Sequence, residues 1–136
     1  MVLIDTNVLV YLIISGEQTG AAQALWRRDS DWRSEAFVLV EFSNVLAHYI
    51  SVRRLALRQA EQLLARATEL MANRLARVPH AHALAVAARF GITAYDARFL
   101  ALAEQTLSKL ITEDAKLRSV APGLTQSMRE ALTRAS

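Results

Sequence analysis

Short apolar segments alternate along the chain with longer segments of helical periodicity, and this alternation restricts the possible folds more than any other feature. The first apolar segment, residues 2–4, is entirely aliphatic and ends at Asp5, as expected for a buried strand followed by a turn. The helical pattern is clearest in residues 55–71, where apolar residues recur at steps of three and four. Because buried strands separated by helices form parallel sheets covered on both faces, we predict a helix-rich α/β fold, a three-layer α/β/α sandwich with a small parallel sheet.

The predicted elements span the chain as a single domain, residues 1–136, which neither a linker nor an internal repeat divides. Strands are predicted over residues 2–4, 32–36, 74–78 and 109–112. Helices are predicted over residues 8–14, 21–28, 37–49, 55–71, 79–89, 96–107 and 115–120, with a last amphipathic segment over residues 124–135. Pro79 is placed to open the fifth helix and Gly91 to end it, while Gly16 and Gly20 interrupt the pattern before the second.

The composition excludes several classes of protein. Hydrophobic residues make up 53% and charged residues 21%, which is a globular composition, and the absence of cysteine excludes disulfide scaffolds and thiolate zinc sites. The apolar N-terminus is interrupted by Asp5 and Asn7, and no run of about 18 apolar residues occurs, so we expect a cytoplasmic protein without a signal peptide or membrane span. The net charge of +3 comes with scattered arginines, which fit a solubilising surface as well as an RNA partner.

Four acidic residues from separate segments are candidates for one site: Asp5, Glu41, Asp96 and Asp114. Asp5 and Asp114 follow predicted strands, whereas Glu41 and Asp96 lie near the starts of predicted helices. In an open parallel sheet ligands bind beyond the carboxyl ends of the strands, so these side chains can converge there. Carboxylates at close range must share a proton or bind a cation, and an oxygen-only donor set suits Mg²⁺ or Mn²⁺.

Each acid also has a simpler interpretation. Asp5 can be an ordinary turn residue, Asp96 can cap its helix, and Glu41 can be a solvated side chain on a helix surface. The chain has 13 acidic residues, and some of them will lie near strand ends by chance. Position alone therefore leaves both interpretations open.

Four sequence blocks together resemble a known family. The blocks are "LIDTNVLVYLI" at residues 3–13, "VLVEFSNVL" at 38–46, "TAYDARFLALAE" at 93–104 and "LITEDAKL" at 110–117. In this order they resemble the motifs of PIN-domain ribonucleases, and among these most closely the VapC toxins of bacterial toxin–antitoxin pairs. The resemblance covers essentially the whole chain. It implies a PIN-like sandwich and an Mg²⁺- or Mn²⁺-dependent endoribonuclease that hydrolyses RNA phosphodiesters with metal-activated water. It also implies a cognate antitoxin, and a homodimer or a toxin–antitoxin hetero-oligomer.

The resemblance assigns roles to individual acids. By matching position, Asp5, Asp96 and Asp114 are the metal-binding carboxylates, and Glu41 completes the acidic, catalytic pocket by direct or water-mediated contact. Glu113 stands beside Asp114. The spacing after the strand favours Asp114 as the ligand with Glu113 turned to solvent, and an exchange of the two stays open.

Five further residues lie beside these acids. Thr6 and Asn7 match polar residues that follow the first acid in the family, and Thr112 matches a small hydroxyl residue that orients a ligand or water. Arg98 and Lys116 flank the acids and are candidates for phosphate contacts. Both are equally compatible with solvated ion pairs to neighbouring Asp and Glu residues.

Two other functions remain as alternatives to the ribonuclease. The first is a catalytically silent PIN-like module that binds nucleic acid or protein, although such a module is free to lose an acid and this chain keeps all four. The second is a nuclease acting on DNA, including flap-type enzymes, for whose extra arch or clamp a chain of 136 residues has little room.

Overall fold

A computed structural model describes residues 1–134 and contains five strands and eight helices in that range. The strands are β1 (Val2–Ile4), β2 (Trp32–Glu35), β3 (Leu75–Ala76), β4 (Leu110–Ile111) and β5 (Thr125–Gln126). The helices are α1 (Thr6–Ile13), α2 (Thr19–Arg28), α3 (Phe37–Ser51), α4 (Leu57–Leu70), α5 (His80–Phe90), α6 (Ala94–Thr106), α7 (Ala115–Val120) and α8 (Met128–Thr133).

The five strands form one parallel sheet in the order β3-β2-β1-β4-β5. Strand β1 lies at the centre, so the chain builds the sheet first to one side of β1 and then to the other. The direction of winding reverses between β1 and β4, and ligands of such sheets bind at this switch point. The register pairs Ile4 with Ile111, which aligns the ends of the two strands.

Helices cover the sheet on both faces, which confirms the predicted three-layer α/β fold. Helices α1 to α4 pack against one another and α8 packs on α2, whereas α5 packs on α6, which contacts β2 and β4. This division follows from right-handed crossovers, because the winding direction changes after β3. Among residues 1–134, no helix combines the length and the apolarity that crossing a bilayer requires.

Strand β1 and helix α6 contribute many of the residues of the hydrophobic core. All three residues of β1 are buried, and α6 inserts Phe99, Leu100 and Leu102, each at most 2% exposed. Full burial of such a side chain stabilises the fold by about 1.5–3 kcal/mol. Trp32 of β2 is also completely buried and meets Trp26 edge to face, with ring centroids 5.4 Å apart. The apolar side of α6 therefore fixes the position of its first turn.

Helix starts and ends differ from the predicted ones where a cap was not recognised. Helix α1 starts at Thr6 because Asp5 accepts a hydrogen bond from the Val8 amide at 3.2 Å. Helix α6 starts at Ala94 because Thr93 caps it. Helix α5 ends as predicted at Gly91, whose φ of 66° suits a residue without a side chain.

Three predicted segments are wrong in detail. Gly20 does not interrupt a helix, because α2 already begins at Thr19. Strand β3 has two residues instead of the predicted five, 74–78. The segment predicted as one amphipathic stretch contains the short strand β5 and then α8, which Ser127 caps. Residue 135, the end of that prediction, lies outside the described residues.

Candidate active site

Four carboxylates line one pocket of about 150 Å³ at the switch point of the sheet. Asp5 follows β1, Asp114 follows β4 after two residues, Glu41 lies on the second turn of α3, and Asp96 lies on the first turn of α6. Residues on or next to four separate elements thus bring together the four acids predicted from the sequence. Their convergence follows from the parallel register, which places the ends of β1 and β4 side by side.

Asp5 is the most buried of these acids, with 6% of its surface exposed. Its carboxylate accepts hydrogen bonds from the Val8 amide at 3.2 Å and from the Thr112 hydroxyl at 2.5 Å. Burial raises the pKa of Asp5 to about 6, and the charges of Asp114 and Glu41 add to the rise, whereas the two hydrogen bonds oppose it. A metal-free Asp5 therefore binds a proton far more readily than an ordinary carboxylate.

Glu41 and Asp96 also line the pocket. The Thr6 hydroxyl donates a hydrogen bond to Glu41 Oε1 at 2.6 Å. Burial raises the pKa of Glu41, and the charge of Asp96 contributes to this rise. Burial also raises the pKa of Asp96, helped by the charge of Asp114. Asp96 is not the cap of its helix, because Thr93 Oγ1 accepts the Asp96 amide hydrogen at 3.1 Å. The Asp96 carboxylate lines the pocket, and a hydrogen bond with the Thr93 side chain partly offsets the rise in its pKa.

Asp114 and Glu113 have different surroundings. Asp114 lines the pocket, caps α7 by accepting the Leu117 amide at 3.0 Å, and donates its own amide to Thr112 Oγ1 at 3.0 Å. Glu113 accepts the Met128 amide at 2.8 Å at the start of α8. The expectation that Glu113 turns to solvent is wrong, because α8 uses this carboxylate at its first turn. Glu113 is absent from the lining of the pocket.

The PIN domain family matches residues 2–122 of this chain. The chain belongs to the PIN domain family. A comparison with curated proteins finds no match. The crystal structure of PAE2754 from Pyrobaculum aerophilum is similar, with a TM-score of 0.74 at 21% identity over 97% of this chain and 93% of that one. At this identity the likeness supports the shared fold alone. PIN domains are generally metal-dependent nucleases, so the fold is that of a nuclease.

The polar residues beside the acids of this PIN domain have distinct positions. Thr112 is fully buried and connects Asp5 with the Asp114 amide, as the orienting role requires. Thr6 holds Glu41, and Asn7 lines the pocket. These contacts link each polar side chain to an acid or to the pocket that the acids form.

The two basic residues expected beside the acids, Lys116 and Arg98, have different surroundings. The charge of Lys116 lies close enough to Asp96 to lower its pKa in part. Arg98 does not line the acidic pocket; it pairs with Glu35 at 3.2 Å and contacts His80 Nδ1. The Arg98 side chain therefore projects from α6 toward Glu35 and not into the pocket formed by the four acids. The expected phosphate contact by Arg98 therefore has no support at this pocket, and the ion-pair interpretation describes Arg98 better.

Glu35, which was not among the predicted site residues, is 2% exposed and ends β2. Its carboxylate accepts the Phe37 amide at 2.6 Å, the Val78 amide at 2.9 Å and Arg98 at 3.2 Å. These bonds tie the start of α3 and the first turns of α6 to the end of β2. Glu35 thereby positions the two helices that carry Glu41 and Asp96. An acid at the end of a predicted strand was the available signal, the same one that selected Asp5.

The donor set of the PIN domain fits a divalent cation by its chemistry. It consists of carboxylate oxygens without sulfur or imidazole, the set that Mg²⁺ and Mn²⁺ prefer. Within residues 1–134, no three Asp, Glu or His side chains lie close enough together to hold an ion in the rotamers they adopt. Three of the four acids nevertheless have raised pKa values, so the pocket concentrates negative charge that a proton or a cation would relieve.

Proposed function

We propose that this PIN domain is an Mg²⁺- or Mn²⁺-dependent endoribonuclease and the toxin of a toxin–antitoxin pair. One observation carries the enzymatic part: four carboxylates from four elements converge at the switch point of the sheet, and burial raises the pKa of three of them. Placing so many acids in one pocket destabilises a fold unless a cation compensates their charge, so a ligand-binding role accounts for the arrangement. The toxin role rests on the sequence resemblance.

In this proposal Asp5, Asp96 and Asp114 hold the cation. A bound Mg²⁺ or Mn²⁺ would supply positive charge for the phosphate oxygens and lower the pKa of an attacking water. Thr112 keeps the Asp5 carboxylate in one orientation through its hydroxyl. Glu41 is half-buried, is held by Thr6, and has a raised pKa, which suits a group that accepts a proton from water.

The experiment compares wild type with Asp96→Asn on total RNA and on defined single-stranded oligonucleotides, in Mg²⁺, in Mn²⁺ and in EDTA. We expect defined fragments from the wild type in either metal and none in EDTA. Loss of one ligand should slow cleavage by at least about 100-fold, because even residues that only support metal ligands change affinity by 10- to 100-fold. Glu69→Gln, an exposed acid on α4, is the charge-matched control and should cleave like wild type.

The outcomes separate the proposal from its alternatives. Cleavage by Asp96→Asn at the wild-type rate would contradict the role of the pocket. A folded wild type, freed of any co-purified protein, that cuts no RNA in either metal would favour the silent binding module. Cleavage of DNA in preference to RNA would assign a different substrate to the same residues.

The toxin role implies a small antitoxin as partner. An apolar groove between α3 and α4 includes Leu46, Ile50, Leu57 and Leu64, and 63% of Leu57 is exposed. Such a groove suits the apolar face of a partner helix, and an antitoxin segment is the partner we propose. Expression of wild type in bacteria should arrest growth, whereas Asp96→Asn should not. Growth arrest by both variants would contradict a toxic ribonuclease activity of this pocket.

A further inference from the structure

A second groove, of about 320 Å³, is lined by residues of α3 and α6, the two helices that also line the acidic pocket. Helix α3 contributes Phe37 and Val40 to this groove and Glu41 to the acidic pocket, so neighbouring residues of one helix face the two depressions. Helix α6 contributes Arg98 to the groove and Asp96 to the pocket. A flexible chain with one group in the acidic pocket would therefore extend over the groove. We call this second depression the α3–α6 groove.

An exposed aromatic ring stands at the boundary between the two depressions. Tyr95 directly precedes Asp96 and is 61% exposed. Its ring stacks on Phe37, with centroids 5.3 Å apart and planes inclined by 6°. Phe37 is half-buried, lines the groove and covers one face of the Tyr95 ring, so the Tyr95 ring lies beside the groove. The Tyr95 ring is thus held in place while much of its surface stays open.

The charge of the α3–α6 groove is opposite to that of the acidic pocket. Within residues 1–134, Glu35 is the one acid that lines the groove. Its charge is neutralised by Arg98, whose Nη1 lies 3.2 Å from Glu35 Oε2. Arg77 also lines the groove, is exposed, and forms no ion pair within residues 1–134. The exposed His80 lies at the same edge. The groove therefore presents a net positive charge next to a pocket that repels anions.

We propose that the α3–α6 groove and the Tyr95 ring beside it together bind the nucleotide next to the scissile phosphate of single-stranded RNA, with the base stacked on the open face of Tyr95 and the phosphate in the groove, contacted by Arg77. This inference rests on the proposed ribonuclease function. Unpaired bases stack on exposed aromatic side chains, and basic residues follow the backbone, which is the combination found here. The groove volume of about 320 Å³ lies at the lower end of the range of small-molecule sites. The positive groove also offsets the repulsion between RNA and the acids.

The test measures binding of a 5′-fluorescein single-stranded 12-mer RNA by fluorescence anisotropy in EDTA, where metal-dependent cleavage cannot occur. We expect Tyr95→Leu, which keeps apolar bulk but has no ring, to bind about 5- to 100-fold more weakly than wild type. Tyr95→Phe keeps the ring and should bind within about twofold of wild type. Thermal melts of both variants establish that they remain folded. A 12-mer without bases should bind wild type and Tyr95→Leu equally.

Arg77→Gln tests the phosphate contact. It should weaken binding and reduce the slope of log affinity against log salt by about 0.7, the value for one phosphate of a single strand. Arg58→Gln is the matched control, because Arg58 is exposed at the start of α4, at the other end of the α3–α4 pair. It should leave the affinity and the slope close to those of wild type. Equal slopes for the two variants would overturn the contact by Arg77.

The outcomes for the groove and for the enzyme are distinguishable. If wild type cleaves RNA in an Asp96-dependent reaction but Tyr95→Leu binds as tightly as wild type, the groove proposal is overturned and the ribonuclease stands. If RNA binding depends on Tyr95 but no metal supports cleavage, the nuclease fails and the binding site stands. A wild type that binds no single-stranded RNA overturns the groove as a nucleotide site.

Discussion

The Asp5 carboxylate is expected to destabilise the metal-free protein at neutral pH, and Asp5→Asn should remove that effect. Burial and two neighbouring acids raise its pKa from 3.8 to about 6. The native state therefore binds this proton more tightly than the unfolded chain does. The unfolding free energy is highest below about pH 4, falls as the pH rises from 4 to 6, and stays low above pH 6. Ionised Asp5 thus opposes folding under the conditions in which the protein would act.

The size of the effect follows from the shift. About two pKa units correspond to about 3 kcal/mol of unfolding free energy at pH 8. The Asn variant cannot keep both hydrogen bonds that the carboxylate accepts from Val8 and Thr112, and loss of one costs about 1 kcal/mol. A net gain of about 2 kcal/mol remains, which for a chain of this size raises Tm by roughly 6 °C. At pH 4 both proteins carry an uncharged side chain here, so the gain should disappear.

Thermal unfolding of wild type and Asp5→Asn at pH 4 and pH 8 in EDTA measures this difference. Glu69→Gln, far from the pocket and exposed, should change the unfolding free energy by less than about 0.5 kcal/mol at either pH. Added Mn²⁺ should stabilise wild type by about 2.7 kcal/mol at 100 times its dissociation constant and stabilise Asp5→Asn less. An Asn variant that is no more stable than wild type at pH 8 would refute the argument that charge in the pocket opposes folding.

Two other variants test the residues that support the site. Arg98→Met leaves Glu35 buried without its partner and should lower the unfolding free energy, measured by urea titration, by about 3–5 kcal/mol. Adding Glu35→Gln to the same chain removes the unpaired charge and should restore much of this loss. Additive losses in the double variant would show that the pair is not coupled. Thr112→Val removes the hydroxyl that orients Asp5 and should weaken Mn²⁺ binding by about 10- to 100-fold in calorimetry, while Thr68→Val on α4 should leave it unchanged. Unaltered Mn²⁺ affinity in Thr112→Val would rule out an orienting role.

Strand ends and chain direction made the four acids candidates for one site. Asp5 and Asp114 follow apolar segments, and parallel strands end at the same edge of a sheet, so their meeting needed no knowledge of side-chain packing. Glu41 and Asp96 required the further step that each helix begins near that edge. Chain direction and periodicity, which are properties of short segments, left the simpler interpretations open, and the ordered resemblance to four family motifs selected the site.

The residues that the sequence did not reveal depend on contacts between distant segments. Glu35 and Arg98 are 63 positions apart, and nothing local to either indicates the pair. Glu113 was wrongly predicted to face solvent because its partner, the start of α8, was not recognised. Strand β5, which precedes α8, has only two residues and shows no periodicity in the sequence. Arg98 was placed beside the acids because it is two residues from Asp96. Two residues along a helix differ by about 200° in direction, which separates their side chains.

Capping a helix and binding a cation are compatible roles for the same carboxylate. Asp114 uses Oδ1 to accept the Leu117 amide, and Asp5 uses Oδ1 to accept the Val8 amide. A carboxylate has two oxygens and about four acceptor positions, so a cap leaves capacity for another ligand. The hydrogen bond of the cap also fixes the side chain's direction. The simple interpretation of Asp5 as a turn residue is therefore part of the explanation for the pocket: the cap fixes the carboxylate beside the strand end at which the other acids converge.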